Sequence, residues 1–165
     1  MKRFLWRIRG KLHILISQMT ELKIFIHRLK DDRTEKISGT LPSDLMGIHE
    51  TDLAFDHPIS LEGDAYLASG HLIIHLKIAT SVRMPCTVCN EMVTLPISIS
   101  NFYHSVDVSS LPEAVFDYTD TLREGILIEV PKYVECNNNA CPERQSIQSF
   151  LKEDRTYYPF SKLEE

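Results

Sequence analysis

Residues 71–99 read HLIIHLKIATSVRMPCTVCNEMVTLPISI, and this stretch decides the fold. Leu72, Ile74, Leu76, Ile78, Val82 and Met84 alternate with His71, His75, Lys77, Ser81 and Arg83, the period of two that a strand with one buried face requires. After Cys86 and Cys89 the alternation resumes at Val93, Leu95, Ile97 and Ile99 and runs on toward Val106. Upstream, Ile59, Leu61, Gly63 and Ala65 share one face, and Ser69-Gly70 supplies turn chemistry before the long arm begins. Strands joined this tightly must be antiparallel.

Working outward, Leu22, Ile24 and Ile26 alternate with Lys23, Phe25 and His27 and predict a first strand after Met19. The chain then turns polar from Asp31 to Thr40, and residues 41–57, with Pro42 and Gly47, read as loop with one short helical turn. Residues 107–120 carry Asp107, Glu113, Asp117 and Asp120 among turn formers and predict a mobile surface loop. A helix follows, with Leu122, Ile126 and Val130 at four-residue steps, a cap at Asp120 or Thr121 and a stop at Pro131. Ile147, Phe150 and Leu151 share a later helical face, and with Tyr157, Tyr158 and Phe160 they offer apolar surface to dock on the sheet. The expected fold class is α+β, an antiparallel β-sheet or partial barrel with short helices. A basic N-terminal extension, residues 1–18, precedes a single α+β domain over 19–165.

Composition is that of an ordinary globular protein, at 165 residues, 43% hydrophobic and 25% charged. A net charge of −5 argues against a surface that grips nucleic acid everywhere. The charge is uneven, since residues 1–30 sum to +7 and the remainder to −12. Leu5, Ile8, Leu12 and Leu15 at helical spacing, with Lys2, Arg3, Arg7, Arg9 and Lys11 beside them, make a candidate contact for RNA or an anionic surface. The plainer alternative is a floppy leader, or a mis-chosen translation start with the true one at Met19. No apolar run is long enough to span a membrane, and Ile14-Leu-Ile16 is too short for a signal-peptide core, so a cytoplasmic protein with reduced thiols is expected.

The cysteines form C-x2-C, 46 intervening residues, then C-x4-C. Cys86 and Cys89 fall at a hairpin tip, where Asn90 tolerates the left-handed backbone a metal knuckle needs. Cys136 and Cys141 are separated by Asn137-Asn-Asn-Ala140, a polar turn-forming linker that a cross-link would steady. Together the four supply the ligands of a closed structural zinc site, Cys86, Cys89, Cys136 and Cys141. Two alternatives stand beside it: four unconnected free thiols, or a dithiol redox couple. The redox reading asks for a CxxC at a helix N-terminus, whereas here a strand follows. The histidines form no HExxH-like ligand pair, with His71 and His75 on one exposed strand face, and Asp117, Asp120 and Glu124 read as solvated charge. No phosphate loop or nucleophile elbow occurs, and nothing points to an enzyme or a small-molecule substrate.

The order of features from about Met19 to Cys141 resembles the YceD family of bacteria and plastids. The matching residues are Leu22-Lys-Ile-Phe-Ile-His-Arg-Leu29, Cys86-Thr-Val-Cys89-Asn-Glu-Met-Val-Thr-Leu-Pro96, Asp117-Tyr118, and Leu122-Arg-Glu-Gly-Ile-Leu-Ile-Glu-Val-Pro131 leading to Cys136. The chain departs from the family pattern at Val88, where an arginine is common, and at Glu124-Gly125, where an acidic pair is common. The resemblance implies a non-catalytic factor supporting synthesis, processing or accumulation of 23S ribosomal RNA in large-subunit biogenesis. Its partners would be ribosomal RNA, a subunit assembly intermediate or a ribosomal protein. A rival reading is a zinc-stapled interaction module that recruits a basic partner through the acidic 107–124 segment, with no RNA role.

Overall fold

The computed structural model describes residues 22–112 and 114–151. The candidate contacts Lys2, Arg3, Arg7, Arg9 and Lys11 lie outside the described residues, as do Met19, Glu113, Tyr157, Tyr158 and Phe160. The architecture is α+β, with antiparallel sheets and short helices. Six strands are described: β1 (Lys23–Phe25), β2 (Thr34–Leu41), β3 (Ile59–Ala68), β4 (His71–Pro85), β5 (Met92–Asp107) and β6 (Val115–Asp117). Two helices follow, α1 (Thr119–Ile128) and α2 (Arg144–Leu151). The chain sorts into two compact units, one running to Met84 and resuming at Thr94–Lys132, the other formed by Pro85–Val93 and the chain from Tyr133.

In the first unit a four-stranded sheet has the order β2-β3-β4-β5, and a two-stranded sheet pairs β1 with β6. The β3–β4 hairpin turns at Ser69 and Gly70, both with positive φ, and pairs Leu61 with Ile78 and Ala65 with Ile74. That register puts Ile59, Leu61, Ala65, Leu72, Ile74, Leu76 and Ile78 in the buried core. At Gly63, opposite Leu76, the backbones approach so closely that a Cβ would stand 2.8 Å from the Leu76 Cα and collide with the His75 carbonyl oxygen. Only glycine fits there. Beyond the last β3–β4 pair, Ala54 takes over as the partner of β4 by exchanging two backbone hydrogen bonds with Arg83, at 2.8 and 3.1 Å.

Strand β5 alternates as expected but slips phase at Ser100 and Asn101, two successive exposed residues, so that Phe102, His104 and Val106 continue the inward face begun by Leu95, Ile97 and Ile99. Such a slip is how a strand bends without losing its buried face. Helix α1 lays Leu122 and Ile126 into the core. Its Gly125 lies against the Phe102 ring, where a Cβ would come within 2.5 Å of Cε2.

Four expectations are corrected. The polar stretch after Asp31 contains a strand, β2, whose inward residues are Glu35, Ile37, Gly39 and Leu41; only Leu41 is buried, the composition of an edge strand. The first strand ends at Phe25, and Ile26–Arg28 is a 3-10 turn. The acidic 107–120 segment is built rather than loose: Asp107 accepts hydrogen bonds from Ser109, and β6 pairs with β1 in the register Ile24 with Phe116. Helix α1 begins at Thr119, and its start is held by Asp117, whose carboxylate accepts from the Thr119 N–H at 3.0 Å, in place of Asp120 or Thr121. In addition, Phe150 on α2 is 80% exposed, so the docking face expected of Ile147, Phe150 and Leu151 is not buried at its largest member.

Candidate metal centre

All four cysteines belong to the second unit, and the backbone explains how each is aimed. Strand β4 ends at Pro85, and the chain turns through Cys86–Asn90 into β5. The Asn90 N–H donates to the Cys86 carbonyl at 2.9 Å, and the Cys86 N–H donates to the Glu91 carbonyl at 2.8 Å. Closing so tight a turn places Asn90 at φ 61°, the left-handed region that asparagine tolerates. Inside the turn the Val88 N–H points at the Cys86 sulfur, at 3.5 Å.

The second pair is carried by a left-handed turn. Asn137, Asn138 and Asn139 have φ of 52°, 54° and 67°, three consecutive residues in a region that costs an ordinary L-residue about 1–2 kcal/mol each. Asparagine lowers that cost but does not abolish it, so something must hold the turn. The Ala140 N–H closes it on the Cys136 and Asn137 carbonyls, at 3.3 and 3.2 Å, and Arg144 clasps Glu135 from the far side, Nε to Oε2 at 3.1 Å. Thr87, between the first two cysteines, donates its N–H and its hydroxyl to the Val134 carbonyl at 2.9 and 3.0 Å. These bonds bring the two cysteine-bearing segments side by side.

The four sulfur atoms lie within 4.8 Å of one another. Cys86, Cys136 and Cys141 are buried, Cys89 is half-buried, and all four are free thiols. Cys89 Sγ and Cys136 Sγ are 3.8 Å apart. The edge of a tetrahedron with metal–sulfur bonds of about 2.3 Å is about 3.8 Å, so the spacing suits four thiolates around one ion. The Cys136 N–H also donates to the Cys86 sulfur, at 3.4 Å, and joins the Val88 N–H among backbone donors of the kind that orient metal ligands.

Electrostatics agree with the geometry. Burial opposes ionisation of Cys86, but the N–H groups of Cys136, Cys89 and Val88 and the Cys89 thiol outweigh it and hold the group down at about 6. Burial, reinforced by the neighbouring thiols, pushes Cys136 up, and burial likewise pushes Cys141 up. One thiolate forms readily and the next ones are resisted, because burial penalises each further charge. A divalent cation removes that resistance, and all four cysteines could then bind it as thiolates. With four protein sulfurs in place no coordination position is left for a substrate.

Both cysteine pairs named from the sequence therefore meet. Among the described residues no other group of three or more His, Cys, Asp or Glu side chains is placed to hold a metal. His71 is exposed and bonds the Ser69 carbonyl through Nδ1, while His75, half-buried against the expectation of full exposure, contacts Asn101 at 2.7 Å. The supporting roles of Thr87, Val134 and the Glu135–Arg144 pair were not anticipated; the one sequence signal was the apolar Val134 placed just before Cys136. No helix among the described residues is long and apolar enough to cross a membrane. The chain matches no protein-family model, no curated protein and no solved structure.

Proposed function

We propose that the protein is a YceD-like, non-catalytic accessory factor for accumulation of 23S ribosomal RNA, built on a structural zinc ion held by Cys86, Cys89, Cys136 and Cys141. The observation that carries the zinc is the convergence of four free sulfurs from both cysteine pairs within 4.8 Å. An all-thiolate tetrahedron selects zinc or iron, and a closed set of ligands favours an architectural role over catalysis. Four reduced thiols suit the cytoplasm. The link to ribosomal RNA rests on the resemblance of Leu22–Leu29, Cys86–Pro96 and Leu122–Pro131 to that family, with binding to the RNA, to an assembly intermediate or to a ribosomal protein as the mode of action.

The rival recruitment of a basic partner by the acidic segment has less support. Asp107 and Asp117 are engaged in local turns with Ser109 and Thr119, which leaves fewer free carboxylates to offer. A dithiol redox role is disfavoured because the thiols crowd as a set of four.

Two measurements test the proposal. Metal analysis of the reduced protein should find close to one equivalent of zinc and no visible charge-transfer band of iron. Depletion in the native cell should lower large-subunit ribosomal RNA selectively, with the protein sedimenting alongside large-subunit precursors. Unchanged RNA with the protein at the top of the gradient refutes the ribosomal role, and a metal-free protein refutes the zinc.

A further inference from the structure

A cavity of about 420 Å³ lies between β1 and β2 in the first unit. Each of these strands has one edge that no described strand occupies, since β2 terminates the four-stranded sheet and β1 pairs only with β6. The backbone bonds flanking β1, from the Ile26 N–H to the Ala114 carbonyl and from the Tyr118 N–H to the Leu22 carbonyl, fall on the β6 side as well. The far wall of the cavity is formed by five successive residues of β2, 35–39. Successive strand residues point to opposite faces, so a continuous run in one wall means that the main-chain edge itself lines the cavity. An open edge offers alternating N–H and C=O groups, a template for an added strand.

The side chains of the lining set the character of what would bind. Ile37, Leu61 and Phe25 supply apolar surface, while Lys23, Arg28 and Lys36 supply positive charge against the single carboxylate of Glu35. Arg28 is held in place over the Phe25 ring, its guanidinium carbon 4.5 Å from the centroid. Lys36 also reaches Asp64 at 3.3 Å and would be shared with a ligand carboxylate. Residues 23–36 carry Lys23, Arg28, Lys30, Arg33 and Lys36 against Asp31, Asp32 and Glu35, whereas acids outnumber bases in the rest of the described chain.

We propose that this slot accepts an extended peptide of a partner protein, added as a strand along the outer edge of β2, in which acidic side chains alternate with apolar ones. The apolar residues would meet Ile37, Leu61 and Phe25, and the acidic ones Lys23, Arg28 and Lys36. A peptide satisfies both the donors and the acceptors of the strand edge at the strand's own repeat, whereas a nucleic-acid backbone offers mainly phosphate acceptors, and the 2′-hydroxyl donors of RNA do not recur at the spacing of the β2 carbonyls. The inference goes beyond the ribosomal reading and stands or falls independently of it.

The test uses the full chain, isotopically labelled, and a blocked heptapeptide of alternating glutamate and valine. Binding should shift the amide resonances of residues 35–39 and of Lys23 and Phe25, and the pair of charge reversals Arg28→Glu and Lys36→Glu should weaken it about tenfold or more. Two further peptides carry N-methyl groups on alternate sets of amides; the one methylated on the edge facing β2 should fail to bind and the other should bind. Equal binding of both would overturn strand addition, and no binding of the parent peptide would overturn the slot altogether. A short oligouridylate that binds at the same amides in place of the peptide would also overturn the proposal, by assigning the slot to RNA.

Discussion

Around β3, β4 and α1 the chain buries Ile59, Ile74, Leu76, Leu122 and Ile126, whereas around the turns at 86–90 and 134–141 the buried side chains are three cysteines and Val134. The first set belongs to one contiguous aliphatic core, whereas among the described residues the three cysteines form a separate small cluster with Val88, Cys89 and Val93. A few such residues cannot offset the conformational entropy of a loop-rich segment, least of all one with three asparagines in the left-handed region. The difference teaches that the two units draw on different sources of order. Hydrophobic burial holds the sheet unit, and a cross-link through the four thiols would hold the described part of the cysteine unit.

If the proposed metal is bound, the sharpest way to break this comparison is to remove it. Binding free energies of structural zinc sites are about 10–16 kcal/mol, and where the described residues bury so few apolar side chains that energy would be largely folding energy. Chelation, or Cys136→Ser, should therefore abolish hydrogen-exchange protection in residues 85–93 and 133–144 while leaving β3 and β4 protected. Loss of protection in both units together, or in neither, would show that the units do not differ in this way.

The complementary insult is Gly63→Ala. A Cβ there collides with the His75 carbonyl oxygen, and because the obstacle is backbone it cannot swing aside. We expect a loss of about 3 kcal/mol or more from the sheet unit, read as a lower thermal midpoint, with zinc content unchanged. Gly125→Ala meets only the Phe102 ring, which can tilt, and should cost about 1–3 kcal/mol. The glycine thus has a packing reason here.

Lower pH should separate the units again. Cys136 and Cys141 are both pushed above the ordinary thiol range, so binding a metal near neutrality must expel at least their two protons. Apparent affinity should then fall about a hundredfold per pH unit as pH drops, measured against a chromophoric chelator. The sheet unit should show a far smaller acid effect. Bonds from the Thr119 side chain and N–H hold Asp117 below its ordinary carboxylate value, so its contribution is present above that value and is lost as pH falls through the folded pKa. Asp117→Asn should cost about 0.5–1 kcal/mol, visible as a small drop in the thermal midpoint at neutral pH and none in strong acid.

The parts of the fold that were legible in the sequence are those where one face is buried and the other wet. Strands β3, β4 and β5 announce themselves because Leu72, Ile74, Leu76 and Ile78 alternate with polar neighbours. The α+β class follows from them, and the paired spacing of the cysteines points to the centre in which they meet. Strand β2 was hidden because an edge strand has little to bury, and its Glu35, Lys36, Ser38 and Gly39 read as loop. Strand β6 was hidden because Val115–Asp117 is three residues long and its pairing partner is far away in sequence. The left-handed run at Asn137–Asn139 depends on what flanks it in space, and composition alone conveys no more than a turn.

The separation of the two cysteine pairs has a consequence for synthesis. Cys89 and Cys136 are 47 positions apart, and drawing such a stretch together costs an open chain about 3 kcal/mol of closure entropy. On the ribosome the first pair emerges long before the second, so the nascent chain carries a two-thiol half-site until β5, β6 and α1 have been made. The sheet strands can pair during that interval, and they shorten the distance that closure must span. Capture of the proposed metal would then be the last step of maturation, and a chain that stalls within α1 would be left with a CxxC open to oxidation.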